Sequence, residues 1–362
     1  MIYYLIFFII LIFVLLGEDI RTTQKDRVAL SIICIIIIAL FSGLRDKLWT
    51  DWDMYHDFYL HPEKFYNDFE YGYVIWNKFI HLFTESYNIF LCISYIVLLV
   101  LFYHTCYTIN KRYILISFIL LYGIYILPSS GFRQYIAMNI FFYSLLYAIK
   151  RNLKIYLLII GLALMFHRTI LFCIPLFWLY GKHIDIKKFI ILMIIGISLH
   201  SLNIFENLIS LTLEKLTGTS SLFISSFKNR ITIYNTGMEE ESLISIGFLR
   251  KILFAFFFLL INKKMRTNLL YKQKEIEIHT FLTNIYIIGI FLSTFIYGIF
   301  SRVEIYFYFT ECCLVPLSCS YITNIKIKYA VLSSLLAILA FMFIYKLNTF
   351  YPELYIPYRW KI

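Results

Sequence analysis

Four cationic side chains stand where an apolar chain has least use for them. Arg133 lies in Ser129-Ser130-Gly131-Phe132-Arg133-Gln134, His167 and Arg168 interrupt a long apolar run, and Arg302 lies in Phe300-Ser301-Arg302-Val303-Glu304. Charge at membrane depth is expensive, and its default reading is a group that lines a cavity or meets a charged ligand. Arginine keeps its charge and offers a planar fork of donors that fits phosphate oxygens. Arg133 and Arg302 also open apolar runs expected to be helical, where unpaired backbone N–H groups favour an anion. His167 titrates near neutral pH and could take the proton of an attacking hydroxyl. Asp51 and Asp53, in Trp49-Thr50-Asp51-Trp52-Asp53-Met54-Tyr55, are rival bases. Their alternation with aromatics also suits a sugar, ring faces on tryptophan and carboxylates on hydroxyls. Glu70, in Glu70-Tyr71-Gly72-Tyr73, has the same standing. The plainer readings are arginines that anchor helix ends, a hydrogen-bonded core histidine, a solvated acidic loop, and Arg302 paired with Glu304 or Glu311.

The elements that must position these groups are membrane helices. The 362 residues are 61% apolar with a mean hydropathy of +0.76, against about 45–50% apolar for a soluble domain. Backbone groups cannot go unpaired in lipid, so the spans must be helices. The expectation is an all-α polytopic membrane protein with about twelve spans in one domain. They fall near 2–16, 27–43, 88–107, 112–128, 132–149, 154–166, 168–180, 187–203, 245–262, 278–299, 303–321 and 327–346. Two long loops remain, 45–87 and 204–244. The first holds eight acidic and four basic side chains. Within it, Tyr73-Val74-Ile75-Trp76 with Phe79, Ile80 and Phe83 has the spacing of an amphipathic surface helix. The first apolar segment lacks a basic leader and a small-residue cleavage site, so it is expected to stay as a helix.

Charge sets the orientation. More than half of the basic residues lie in short loops at 17–27, 108–112, 149–154, 181–188, 262–277 and 322–328, which marks these loops as cytoplasmic. Were 154–180 one tilted helix, every later loop would change sides, and the basic stretch Asn262-Lys263-Lys264-Met265-Arg266 would face outward. Parity therefore requires a turn at His167-Arg168. Each arm of about a dozen residues would reach only about 20 Å, short of the roughly 30 Å hydrocarbon core. Such a sunken hairpin is tolerated where it lines a cavity. Both termini, Arg45, Asp51, Asp53, Glu70, Arg133, His167, Arg168, Arg230 and Arg302 then share the outer face.

Other chemistry lacks its signals. The net charge of +11 follows the loop rule, so no nucleic-acid partner is expected. The seven cysteines lie in or beside apolar runs and form no CxxC, so neither a metal site nor a disulfide framework is expected. No GxxxxGK[ST], GxGxxG, HExxH or GxSxG occurs. Asp51-Trp52-Asp53 has the spelling of a metal-binding DxD, a weak signal at three letters. With no cofactor in view, the energy for a reaction is expected to reside in an activated lipid substrate.

The chain resembles the EpsG-like branch of the Wzy-type polysaccharide polymerases. Gly43-Leu44-Arg45 followed by Thr50-Asp51 and Tyr55, then Glu70-Tyr71-Gly72, is similar to that family's early segment. Gly131-Phe132-Arg133-Gln134 with Ala137 is similar to its G-x-R-Q-x-x-A element, Phe166-His167 to its F-H pair, and Arg302 with Tyr306-Phe307 to its late R-x-x-x-Y-F. Arg168 departs from the pattern, which usually has a small residue there. The resemblance implies an inner-membrane glycosyltransferase acting on the periplasmic side. It would join O-antigen or capsule oligosaccharide units carried on undecaprenyl pyrophosphate, beside membrane lipids and a chain-length regulator protein. In that reading His167, Asp51 or Asp53 is the base. Arg45, Glu70, Arg133, Gln134, Arg168, Arg302 and Tyr306 hold pyrophosphate or sugar. The rivals are a flippase for lipid-linked oligosaccharide, expected to show repeated halves and a path open to both faces, and a membrane acyltransferase, expected to draw its donor from the cytoplasm.

Overall fold

The computed structural model describes residues 2–18, 21–48, 51–64, 69–126, 131–202, 245–268, 271–295, 301–349 and 358. The expected loop at 204–244, with Arg230, lies outside them. Among the described residues the regular structure is helical: α1 Ile2–Glu18, α2 Gln24–Gly43, α3 Trp52–Leu60, α4 Tyr71–His81, α5 Tyr87–Ile109, α6 Ile114–Leu120, α7 Phe132–Ile149, α8 Leu153–Leu164, a 3₁₀ segment Arg168–Leu179, α9 Ile186–Ser201, α10 Ile246–Thr267, α11 Gln273–Phe295, α12 Ser301–Tyr308, α13 Glu311–Ser320 and α14 Ile325–Thr349. Among the described residues four stretches are long and apolar enough to cross a membrane, Gln24–Gly43, Tyr87–Ile109, Gln273–Thr294 and Ile325–Thr349. The other crossings expected from sequence fall on shorter or more polar helices. The helices group into two compact units, Met1–Phe177 with Glu311–Ile362, and Trp178–Thr310.

In the first unit, α2 packs along α5, α5 along α7, and α7 along α8. The contact of α2 with α5 is tight because Gly43 has no side chain: a Cβ there would lie 2.7–2.8 Å from the backbone of Cys92. Asn88, in the first turn of α5, donates to the carbonyls of Gly43 (3.0 Å) and Arg45 (2.9 Å), fixing the chain as it leaves α2. The described parts of the stretch 45–87 are folded against this core. Tyr55 and Phe58 of α3, Phe69, Tyr73 of α4, Phe90 of α5 and Phe132 of α7 form one aromatic cluster. The segment is helical as expected, but its apolar residues do not share one face: Tyr73, Val74 and Ile80 turn inward, and Ile75 and Phe79 outward.

The chain does reverse at His167. Tyr156 Oη donates to the carbonyl of Cys173 at 2.6 Å, and the Tyr156 and Phe177 rings lie 5.4 Å apart. In one continuous helix residues 156 and 173 would be separated by about 25 Å along the axis. The returning arm is a 3₁₀ segment with Pro175 inside it. Proline removes a donor and clashes with the preceding turn, which disfavours a regular α-helix there.

Two expected spans are broken instead. Residues 303–321 divide into α12 and α13 at Phe309-Thr310. The Thr310 hydroxyl bonds the Phe307 carbonyl at 2.6 Å, competing for an acceptor that a continuous helix would offer to residue 311. Likewise 112–128 becomes α6 followed by a π-helical turn, Leu121–Ile126. That turn is held by Lys346, which donates to the Ile124 carbonyl at 3.0 Å. Tyr125 Oη donates to the fully buried Glu311 at 2.8 Å.

The hairpin has a direct topological consequence. Reporter fusions placed at Lys150 and at Lys182 are expected to give the same, cytoplasmic signal, because two arms lie between them. Opposite signals would mean a single crossing.

Candidate functional site

The site is built where α4 meets the hairpin tip. Gly72 N–H donates to the Met165 carbonyl at 2.8 Å, and a Cβ at Gly72 would lie 2.7 Å from the Met165 side chain and 2.8 Å from its carbonyl oxygen. The glycine of Glu70-Tyr71-Gly72 is therefore needed for the close approach. It seats α4 on the turn and delivers Glu70, at the N-terminal boundary of α4, to Arg133 in the first turn of α7.

Arg133 Nη1 forms an ion pair with Glu70 Oε2, and Arg133 Nε donates to Tyr55 Oη at 3.2 Å. The guanidinium lies 4.8 Å from the centre of the Phe69 ring and 5.7 Å from that of Tyr55, positions that favour a cation over an aromatic face. Nη2 makes no hydrogen bond among the described residues. Burial raises the Tyr55 phenol above its ordinary range, and the positive charge of Arg133 opposes that rise. Tyr55 is thus a neutral hydroxyl whose oxygen accepts from the arginine.

Glu70 also lines a cavity of about 510 Å³, with Arg168 as its other charged group and Val74, Leu164, Met165 and Leu171 among its apolar walls. Arg168 is exposed and makes no ion pair or hydrogen bond among the described residues. The Glu70 charge is matched by Arg133, so the cavity presents one positive charge without a partner. Its volume is in the range of sites for small ligands.

The remaining expected residues are placed as follows. His167 is half-buried at the turn, with Nδ1 2.6 Å from the Thr169 hydroxyl, and is not among the residues lining the cavity. Asp51 stands at the N-cap position of α3, with no capping bond from its side chain, and is near enough to Tyr55 to act on it electrostatically, whereas Asp53 is exposed in the first turn of α3. Arg45 is buried, its Nη1 donating to Tyr95 Oη at 3.2 Å. Tyr95 in turn contacts Phe132 beside Arg133. Gln134 is half-buried beside Arg133.

Arg302 and Tyr306 belong to the second unit, Arg302 exposed in the first turn of α12 and Tyr306 fully buried. Of the two carboxylates considered for Arg302, Glu304 pairs with Lys251 at 3.2 Å, and Glu311 accepts from Tyr125. The Lys251 ammonium also stands 3.8 Å from the centre of the Tyr308 ring. Sequence reasoning missed Lys251, as it missed Phe69 and Tyr95. Lys251 and its neighbour Arg250, charged within an apolar helix, were the available signal; the two aromatics carry none among so many. Among the described residues no three His, Cys, Asp or Glu side chains are grouped to hold a metal ion.

Apolar helices around a half-buried ion pair and a cationic cavity define an all-helical membrane protein with an anion-compatible site. The EpsG family model matches residues 28–360, nearly the whole length, and the chain belongs to that family. Searches of curated proteins and of solved structures each found no match. The family points to a polysaccharide polymerase-like function.

The ion pair has a measurable weight. The Arg133 and Glu70 side chains retain only 21% and 16% of their exposure. A double-mutant cycle with Arg133→Gln and Glu70→Gln, read by thermal unfolding in detergent, is expected to give a favourable coupling of about 1–3 kcal/mol. Additive single-mutant effects would show that the two groups act independently.

Proposed function

We propose that this protein is an inner-membrane glycosyltransferase. It polymerises oligosaccharide repeat units carried on undecaprenyl pyrophosphate, with its site on the periplasmic face. The observation that carries this reading is a pair of arginines joined through Glu70, Arg133 in ion pair with it and Arg168 on the cavity it lines, the latter with no ion pair among the described residues, in a chain of the EpsG family. A departing pyrophosphate needs fixed positive charge where negative charge develops, and guanidinium groups supply it without a metal.

In the reaction the acceptor hydroxyl attacks the anomeric carbon of the donor unit. The new C–O bond forms as the bond from that carbon to the pyrophosphate oxygen breaks. The hydroxyl proton passes to a base, and the pyrophosphate leaves on its lipid. His167, Asp51 and Asp53 are the bases reasoned from sequence; Glu70 joins them as the carboxylate on the cavity wall. Tyr55, bonded to Arg133, Gln134, next to it in α7, and Asp53 offer hydroxyl, amide and carboxylate groups to sugar, and the buried Arg45 supports them through Tyr95. Arg302 and Tyr306, in the second unit, keep the substrate-binding role that the resemblance implies. The outward orientation rests on the distribution of lysine and arginine, and the chain-length regulator on the resemblance.

Arg133→Ala is expected to abolish the ladder of long polysaccharide, leaving single repeat units on the acceptor, with protein level unchanged. Normal laddering at normal level would remove Arg133 from pyrophosphate binding. Purified protein given a synthetic lipid-linked repeat unit is expected to form polymer. Movement of the lipid across the bilayer, or acyl transfer, in place of polymer would favour the corresponding rival.

A further inference from the structure

We infer that the groove between α4 and the hairpin is the entry and binding site for the isoprenoid chain nearest the phosphate of a polyprenyl pyrophosphate, admitted sideways from the bilayer. The inference rests on the polymerase reading for the identity of that lipid. Its geometry comes from the groove alone.

The groove is amphipathic in its lining: the charged residues are Glu70 and Arg168, and Val74, Leu164, Met165 and Leu171 are among the apolar ones. With Glu70 neutralised by Arg133, Arg168 leaves a net positive charge in the groove, which complements a phosphate head.

The apolar walls continue outward. On α4, Tyr71, Ile75 and Phe79 recur at helical spacing and are 69%, 55% and 52% exposed. On α8, Leu158 and Leu162 are 71% and 47% exposed. Both stripes lie on helices that line the groove, α4 through Tyr71 and Val74 and α8 through Gly161 and Leu164, and exposed apolar faces suit helices that meet lipid. A ligand with a charged end and a long apolar tail meets every surface on this path, and a water-soluble anion meets only the first.

Gly161 sharpens the inference. It lines the groove from α8, and a Cβ built there meets nothing within 4 Å. A side chain at this position grows into the groove and displaces no packed neighbour, and phenylalanine is a better helix former than glycine. Gly161→Phe therefore fills the site while leaving the fold intact.

The test uses the full-length protein in phosphatidylcholine nanodiscs, with a polyprenyl pyrophosphate that carries a diazirine on its second isoprene unit. Labelling is expected within residues 71–81 and 153–179. It is expected to fall about tenfold or more in Gly161→Phe, equivalent to about 1.4 kcal/mol. In Arg168→Gln the advantage of the pyrophosphate probe over the matching polyprenol probe is expected to disappear. Undiminished labelling in Gly161→Phe would overturn the inference. So would equal labelling of these segments by a diazirine phosphatidylcholine, because the groove would then be ordinary lipid-facing surface. Groove labelling without polymer in the parallel assay would overturn the polymerase reading and keep the groove. Polymer without groove labelling would overturn the groove alone.

Discussion

The first unit's charged locus depends on one backbone contact, the Gly72 N–H on the Met165 carbonyl. A guanidinium at the start of a membrane helix is costly to desolvate unless a partner is fixed nearby. The partner, Glu70, lies on a segment that has left one spanning helix and not yet entered the next. Its position is set by seating α4 on the hairpin tip, and only a residue without a Cβ allows that seat. The hairpin must in turn reverse at His167 for Met165 to be presented. The order of dependence runs from the turn, to the glycine contact, to the carboxylate, to the arginine.

Three arginines of the first unit occupy graded environments, and the gradation separates their roles. Arg45 is buried against Tyr95, and the Asn88 amide holds its backbone. Such a charge, withdrawn from solvent, mainly organises the polar groups around it. Arg133 is half-buried and divides its donors between a carboxylate and a phenol, keeping one nitrogen open. Arg168 is exposed at the cavity wall. Availability to an incoming anion rises along that series as packing falls. The departure from the family pattern at 168 is thus a gain of accessible charge at the hairpin tip, where a small residue would add none.

Much of this was legible in the chain, for identifiable reasons. The reversal at His167 follows from counting lysines and arginines in short loops, because sidedness is conserved along a threaded chain and one wrong crossing misplaces every later loop. Glu70 and Arg133 were picked out as charges among apolar neighbours, but no local rule pairs residues 63 positions apart. That pairing requires the Gly72 contact, a tertiary fact. The break at Phe309-Thr310 was hidden because apolar periodicity is the same on both sides of it, and a hydroxyl's capture of a backbone carbonyl leaves no mark in hydropathy. The folding of 45–87 onto an aromatic core was obscured by its acidic residues, which suggested solvent. Charge along such a segment reports only the faces that remain outside.

The carboxylate that stabilises Arg133 also constrains what that arginine can bind. A phosphate approaching Arg133 with Glu70 in place meets a like charge on the nitrogen beside the open one, and like charges at contact distance oppose binding. Arg168 lines the cavity together with Glu70 but makes no ion pair among the described residues. In the proposed reaction a pyrophosphate would meet Arg168 first, and engaging Arg133 would require Glu70 to release or share the guanidinium's donors. A site arranged in this way holds its second cation neutralised until an anion of sufficient charge has already been captured. The same displacement would release a carboxylate into the cavity at the moment a proton acceptor is needed. Charge balance in the empty protein and chemistry in the occupied one would then draw on the same side chain.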